Sequence, residues 1–228
     1  MKDKLLRISV IAIDGPVASG KTSVGRRVAQ ALNFRFLDTG VLYRAVTLAA
    51  HTRGLNIKDV SMLAELARTL KVNVQADTQD RDVILLDGID VTNALRGSVV
   101  EQSVSLVSSY PKLRLALIDR QREFAAPGKV VMVGRDIGTT ILPHADLKIF
   151  LTASPEERAR RRAQELSSEG LLRPHEQVLQ EIHQRDNRDS GRSASPLIQP
   201  SDAYSIDTER VGLDEIVRQV LTLCGEGE

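Results

Sequence analysis

Residues 8–32 read Ile8-Ser9-Val10-Ile11-Ala12-Ile13-Asp14, then Gly15-Pro16-Val17-Ala18-Ser19-Gly20-Lys21-Thr22, then Ser23-Val24-Gly25-Arg26-Arg27-Val28-Ala29-Gln30-Ala31-Leu32. The first run is apolar and β-branched and reads as a buried strand. The second is G-x-x-x-x-G-K-T, and the third carries helical periodicity from about Lys21. A strand, a glycine loop and a helix in that order form the context of a phosphate-binding P-loop. Glycines at 15 and 20 let successive backbone N–H groups converge on an anion, and the helix start adds its positive dipole end. A Gly-rich turn that merely links strand to helix is the bland alternative; the fixed spacing and both flanks count against it. Gly15, Pro16, Val17, Ala18, Ser19, Gly20, Lys21, Thr22 and Ser23 are therefore the expected nucleoside-triphosphate set. Lys21 would reach the outer phosphates, and the Thr22 hydroxyl would ligate a magnesium ion.

Further apolar runs alternate with helical stretches. Phe34–Leu37 ends in Asp38-Thr39-Gly40 and precedes a helical Val41–His51. Lys129–Val133, Leu147–Leu151 and Ala203–Asp207 follow later, the last before an amphipathic Leu213–Leu223. This rhythm predicts a doubly wound α/β fold: a parallel sheet of five strands with helices on both faces. Ser154, Pro155 and Glu157 predict a capped helix start after Leu151. The rhythm breaks near 60–105, where Val72–Ala76 and Asp82–Leu86 flank the polar turn Asp77-Thr78-Gln79-Asp80 and a short run follows at Ile89–Val91. Hairpin spacing there predicts a small antiparallel β unit inserted into the α/β domain.

Composition narrows the class. At 228 residues the chain fits one domain with an insertion, and its 42% hydrophobic content with no Trp implies an aliphatic core. A formal net charge of +1 gives no global basic field, so neither nucleic acid nor a membrane surface is an expected partner. A single cysteine, Cys224, excludes an intramolecular disulfide framework. Lys2 and Lys4 before Leu5-Leu6 mimic a secretory leader only weakly, since Arg7 interrupts the run. No run reaches the ~18 apolar residues of a membrane span. A soluble, cytoplasmic, monomeric protein is the expectation.

The cations are 23 Arg against 8 Lys, and where the arginines fall matters more than their number. Thr39 and Arg44 follow the second strand, at the carboxyl end where open α/β sheets bind ligands. They fit a phosphate site across a crevice from the loop, or equally a helix cap and a surface arginine. Gly134-Arg135-Asp136-Ile137-Gly138 closes the Val130–Val133 strand, where charge is costly unless paired or functional. Arg185, Arg188, Asp189 and Arg192 share a helical face, as do Arg158, Arg161 and Arg162. Solvated helix faces would explain both clusters. Otherwise the two form helices joined by Leu166–Leu172 whose arginines fold over polyphosphate as a lid.

Five blocks together resemble the bacterial cytidylate (CMP) kinase family of P-loop nucleoside monophosphate kinases. They are Gly15–Thr22, Leu37–Gly40 with Tyr43-Arg44, Gly134–Thr139, Lys148–Ser154 with Glu156-Glu157-Arg158, and Gln184–Asp189. The resemblance runs essentially end to end; the Gly-Arg-Asp-Ile-Gly and Arg-Asp-x-Arg-Asp blocks are its specific part. It implies a core of 1–60, 106–156 and 194–228, a monophosphate-binding insert at 61–105 and a helical lid at 157–193. It further implies ATP as donor, magnesium, and CMP or dCMP as acceptor. Thr39, Arg44, Arg135 and Arg192 would hold the acceptor phosphate, Ser105, Arg114 and Asp136 the cytosine, and Arg185 with Asp189 the ribose. Arg158 and Arg162 would be lid contacts to the triphosphate, acting in catalysis with Lys21, Arg135 and Arg192. Two departures stand out: Ala18-Ser19 where many relatives carry an extra glycine, and Ser190-Gly191 just before Arg192.

The rivals are other phosphotransferases of this fold and nucleotide-dependent switches or nucleic-acid ATPases. Adenylate and thymidylate kinases carry Asp-Gly-Phe-Pro-Arg-type and Asp-Arg-Tyr-type blocks that are missing here, and shikimate and gluconate kinases lack the β insert. A GTPase needs an Asn-Lys-x-Asp string, which does not occur.

Overall fold

In the computed structural model, residues 8–76, 82–168 and 170–225 are described. The expected turn at 77–80 and the leader-like residues 1–7 lie outside them. The central sheet has the strands β1 (Val10–Asp14), β2 (Arg35–Asp38), β6 (Val130–Gly134), β7 (Leu147–Thr152) and β8 (Tyr204–Asp207) in the order β2-β6-β1-β7-β8. Every pairing among them is parallel. β1 lies in the middle because Ile11, Ala12 and Ile13 are all completely buried, so both of its faces are covered. On one face Ile11, Ile13, Val131 and Val133 pack with Val24 and Val28 of α1 (Lys21–Leu32) and with Ile216 and Val220 of α8 (Leu213–Leu223). Ala12 and Met132 point the other way and are equally buried. The five parallel strands and the bounds of α1 and α8 agree with the sequence reading.

The chain divides into two compact units, residues 1–38 with 124–228, and residues 39–123. The first holds the five-stranded sheet, α6 (Pro155–Ser168) and α7 (His175–Ser190). The second holds α2 (Gly40–Thr52), α3 (Val60–Thr69), α4 (Ser98–Val107) and the antiparallel sheet β3 (Val72–Ala76), β4 (Asp82–Leu86) and β5 (Ile89–Asp90). α5 (Pro111–Ala125) ends at the division. The inserted sheet and α2 were expected; α3 and α4 were not. α3 has a readable start, since Asp59 accepts the Met62 N–H at 3.0 Å as an N-cap. Leu63, Leu66, Leu95, Val104, Leu113 and Leu117 make a separate aliphatic core there.

The α6–α7 pair corrects the sequence reading in two places and bears out the expected start of α6. Leu166 lies inside α6 and is buried against Ala159, Val178 and Ile182, so the connection begins later than 166. Ser154 caps α6 through the Glu157 N–H at 3.3 Å, but the Glu157 carboxylate turns to Arg160 and Arg161 at 2.7–2.8 Å instead of back to Ser154. Two guanidiniums outcompete one backbone N–H for a carboxylate. α7 ends at Ser190 with Gly191 as its cap, so Arg192 is not on the helical face of Arg185, Arg188 and Asp189.

Candidate active site

The phosphate loop leaves β1 at Asp14 and enters α1 at Lys21. Gly15 has φ +150, and a Cβ there would lie 2.1 Å from the Leu151 carbonyl oxygen, so only glycine passes. Ala18 stands at φ +58, the left-handed region, which a glycine would adopt more easily. Its side chain and that of Val17 pack against the Ala159–Leu166–Val178–Ile182 cluster between α6 and α7, which gives the methyl group a partner. Lys21 is buried and its Nζ donates to the Pro16 carbonyl and to Ser19 Oγ. Burial and then the Arg135 guanidinium lower its pKa well below the ordinary lysine value, while Asp38, Asp14 and Asp189 act in the opposite direction. A polyanion at this point would favour the charged ammonium. Thr22 Oγ1 donates to Asp38 Oδ2 at 2.7 Å. A threonine hydroxyl whose proton is already engaged, beside a carboxylate, is a hard-oxygen set that suits magnesium. Ser23 is exposed on the first turn of α1.

Facing Lys21 in the same unit is an acid–arginine cluster. Arg135 donates from Nε to Asp189 Oδ2 at 2.9 Å. Arg192 pairs with Asp189 as well; both side chains are 3% exposed. Burial would raise the Asp189 pKa, but Arg135, Arg192 and Arg185 together hold it below the ordinary aspartate value. Nε and Nη1 of Arg192 are buried and have no hydrogen-bond partner among the described residues. Arg192 therefore joins the cluster from beyond the helix end, and two of its donors are unspent. Asp136 is buried beside Arg135, ahead of a single π turn (Ile137–Ile141).

The arginines of α6 are not a bare cationic cluster. Arg158, only 3% exposed, donates to Asp186 with both terminal nitrogens (3.1 and 2.6 Å), to the Ala153 carbonyl and to the Val17 carbonyl of the phosphate loop. Arg161 binds Glu157 and Thr208, and Arg162 binds Glu165 at 2.6 Å. The repulsion that would call for an anion among them is met by carboxylates.

In the second unit, Thr39 is buried at the start of α2. Arg44 pairs with Glu101 at 2.8 Å and donates to the Leu95 carbonyl, and Ser105 lies one turn beyond Glu101 on α4. The Arg114 guanidinium stacks 5.2 Å from the centroid of the Tyr43 ring and donates to the Ser108 carbonyl. These four expected residues thus belong to one neighbourhood of α2, α4 and α5. Sequence reasoning assigned no role to Asp14, Asp38, Asp186 or Glu101. Asp14 and Asp38 carried the signal that singled out Arg135: a charge at the carboxyl end of a strand.

A strand–GPVASGKT–helix unit at the centre of a parallel sheet, with a buried lysine and arginines converging on it, defines a P-loop phosphotransferase-type protein. The profile of the cytidylate kinase family matches residues 11–226. A cytidylate kinase of Pelotomaculum thermopropionicum is 43% identical over 217 residues, covering 95% of this chain and 96% of that one. One of Desulforamulus reducens is 45% identical over 218 residues, covering 96% and 97%. Among solved structures, an uncharacterized protein from Eubacterium ventriosum superposes with a TM-score of 0.52 at 15% identity, covering 95% of this chain and 98% of that one, a likeness of fold alone. The chain belongs to the cytidylate kinase family. No helix among the described residues is long and apolar enough to cross a membrane.

Proposed function

We propose that this chain transfers the γ-phosphoryl group of ATP to the phosphate of CMP, and of dCMP, yielding ADP and the cytidine diphosphate. The observation that carries the reading is the buried Lys21 of the phosphate loop together with Arg135 and Arg192 gathered on Asp189 in the same unit. Family membership gives the reading its substrate.

The acceptor phosphate has its second pKa at ~6, so at neutral pH it is already a nucleophile and needs no general base. Catalysis then reduces to alignment of two polyanions and neutralisation of charge on the transferring group. Lys21 holds the outer phosphates of ATP, and Gly15–Ser23 supply the backbone cradle. Thr22 would ligate magnesium, with Asp38 orienting its hydroxyl, and the ion, when bound, would neutralise phosphate charge. Arg135 and Arg192, with Thr39 and Arg44, hold the acceptor phosphate; Arg185 and Asp189 hold the ribose. Ser105, Arg114 and Asp136 read cytosine. The Asp136 carboxylate accepts from the exocyclic amino group, where uracil would present a carbonyl and two acceptors would oppose each other. Arg158 reaches the triphosphate from its seat on the Val17 carbonyl, and Arg162 does so by exchanging Glu165 for phosphate. Exclusion of water over the site suppresses hydrolysis of ATP. The reading places a monomeric enzyme in the cytoplasm with small-molecule substrates and no nucleic-acid partner. ADP release measured against CMP, dCMP, UMP, AMP, GMP and dTMP tests it. Turnover is expected with CMP and dCMP; a preference for another monophosphate would overturn it.

A further inference from the structure

We propose that Asp14 is the positioning residue of the acceptor-reading loop: its carboxylate, by accepting the Ile137 and Gly138 N–H groups, fixes the placement of Arg135 and Asp136 and thereby base discrimination. The inference rests on the CMP kinase reading above and adds a residue to it. Asp14 is the last residue of β1, pairs in register with Gly134 at the end of β6, and is followed directly by Gly15 of the phosphate loop. One residue thus touches the root of both loops.

Its side chain is 1% exposed. Oδ1 accepts the Ile137 N–H at 2.9 Å and Oδ2 the Gly138 N–H at 2.7 Å. Those two amides open the π turn, immediately after Arg135 and Asp136. Position 138 is tight: a Cβ there would lie 3.1 Å from Lys148 Cδ and from Pro200 Cγ, so these neighbours would have to give by a few tenths of an ångström, and 3.4 Å from Asp14 Oδ2. The turn is held in a slot, with Asp14 as its floor.

A charge is an expensive floor. Burial, opposed by the two N–H groups, pushes the Asp14 carboxyl up to about 6; the Asp136 carboxylate pushes it further up and Lys21 pulls it down. A neutral side chain with one acceptor would cap the turn at lower cost. What only the carboxylate supplies is two acceptors at once, which fix two consecutive amides and hence the direction of the Arg135–Asp136 segment. Asparagine keeps one acceptor and turns an N–H donor toward the second amide.

The test is Asp14→Asn, with Gly138→Ala as an independent way to push the amide off an intact Asp14. Both are expected to lower kcat/KM for CMP by about 10-fold or more, the scale of a lost charge-assisted hydrogen bond. The loss appears in the CMP KM and in a narrowed CMP/UMP ratio, while the KM for ATP stays within about 2-fold. The ratio of wild-type to Asp14→Asn activity toward CMP falls as pH drops through about 6; the substrate's own ionisation is common to both and cancels. The Ile137 and Gly138 amides exchange with solvent faster in Asp14→Asn, a readout independent of turnover. A general loss of activity at unchanged KM values and CMP/UMP ratio would overturn the inference, as would unaltered exchange at both amides. Absence of CMP kinase activity in the wild type would instead overturn the underlying reading.

Discussion

Arg192→Met separates binding from folding at the proposed acceptor-phosphate site. Nε and Nη1 of Arg192 are buried without a hydrogen-bond partner, each at a cost of about 1–3 kcal/mol, or about 2–6 kcal/mol together. Methionine fills much of the same volume with no donor to satisfy. Against that relief stands the bond to Asp189, worth about 1.5–3 kcal/mol, and Asp189 keeps Arg135 at 2.9 Å. The ligand-free variant is therefore expected to be no less stable than the wild type, within about 1 kcal/mol. Binding behaves differently: a phosphate that satisfies both donors gains two charge-assisted bonds. Their loss costs about 3–6 kcal/mol, or about 10²–10⁴ in the Kd for CMP. Calorimetric melting with and without CMP reads both quantities. At 100 times Kd, CMP adds about 2.7 kcal/mol to the wild type, which for a chain of this size raises Tm by roughly 5–10 °C; the variant shows no such rise at that concentration. A variant that melts far below the wild type without CMP, yet binds CMP equally well, would make Arg192 a structural residue and refute the reasoning.

Asp136→Ala is expected to lower turnover of CMP and narrow the CMP/UMP ratio in steady-state kinetics; an unchanged ratio would remove Asp136 from base reading. Because burial raises the Asp14 carboxyl from 3.8 to about 6, its contribution to stability is fully present below about pH 4 and is lost as pH rises through 6. The loss is about 3 kcal/mol. Urea unfolding from about pH 3.5 to 7 should show that decline in the wild type and its disappearance in Asp14→Asn. Asp186→Ala leaves the buried Arg158 guanidinium without its bidentate partner and is expected to destabilise the protein by about 3–5 kcal/mol, read from the urea midpoint.

How much was legible depended on what surrounds each segment. Val130–Val133 and Ile11–Ile13 read as strands because both of their faces are buried, so no polar residue interrupts the run. α1 and α8 read to the residue because one face of each packs against that sheet. Residues 60–107 were read only for their strands. There α3 and α4 pack into an aliphatic core of their own, and Ser98-Val99-Val100 offers no side-chain cap to announce the start of α4. Leu166 looked like linker because its partners, Val178 and Ile182, lie on the next helix. The partners of the α6 arginines went unread for two reasons: Glu157 and Glu165 meet Arg161 and Arg162 at the i,i+4 and i,i+3 spacings of one helix, a signal that was not used, whereas Asp186 reaches Arg158 from the next helix, which no spacing rule gives. Asp14 stood at the carboxyl end of a strand and could be noticed there, but its role could not be read, for a related reason. Its value comes from two backbone amides 123 and 124 residues away.

The central claim is tested most directly by following the γ-phosphoryl group itself. ATP labelled at the γ position is incubated with CMP and either the wild type or Lys21→Met, and the products are separated. The account predicts label in CDP with the wild type and a rate about 10²–10³ lower with a folded Lys21→Met. Label released mainly as inorganic phosphate, or transferred to CMP equally fast without Lys21, would contradict it.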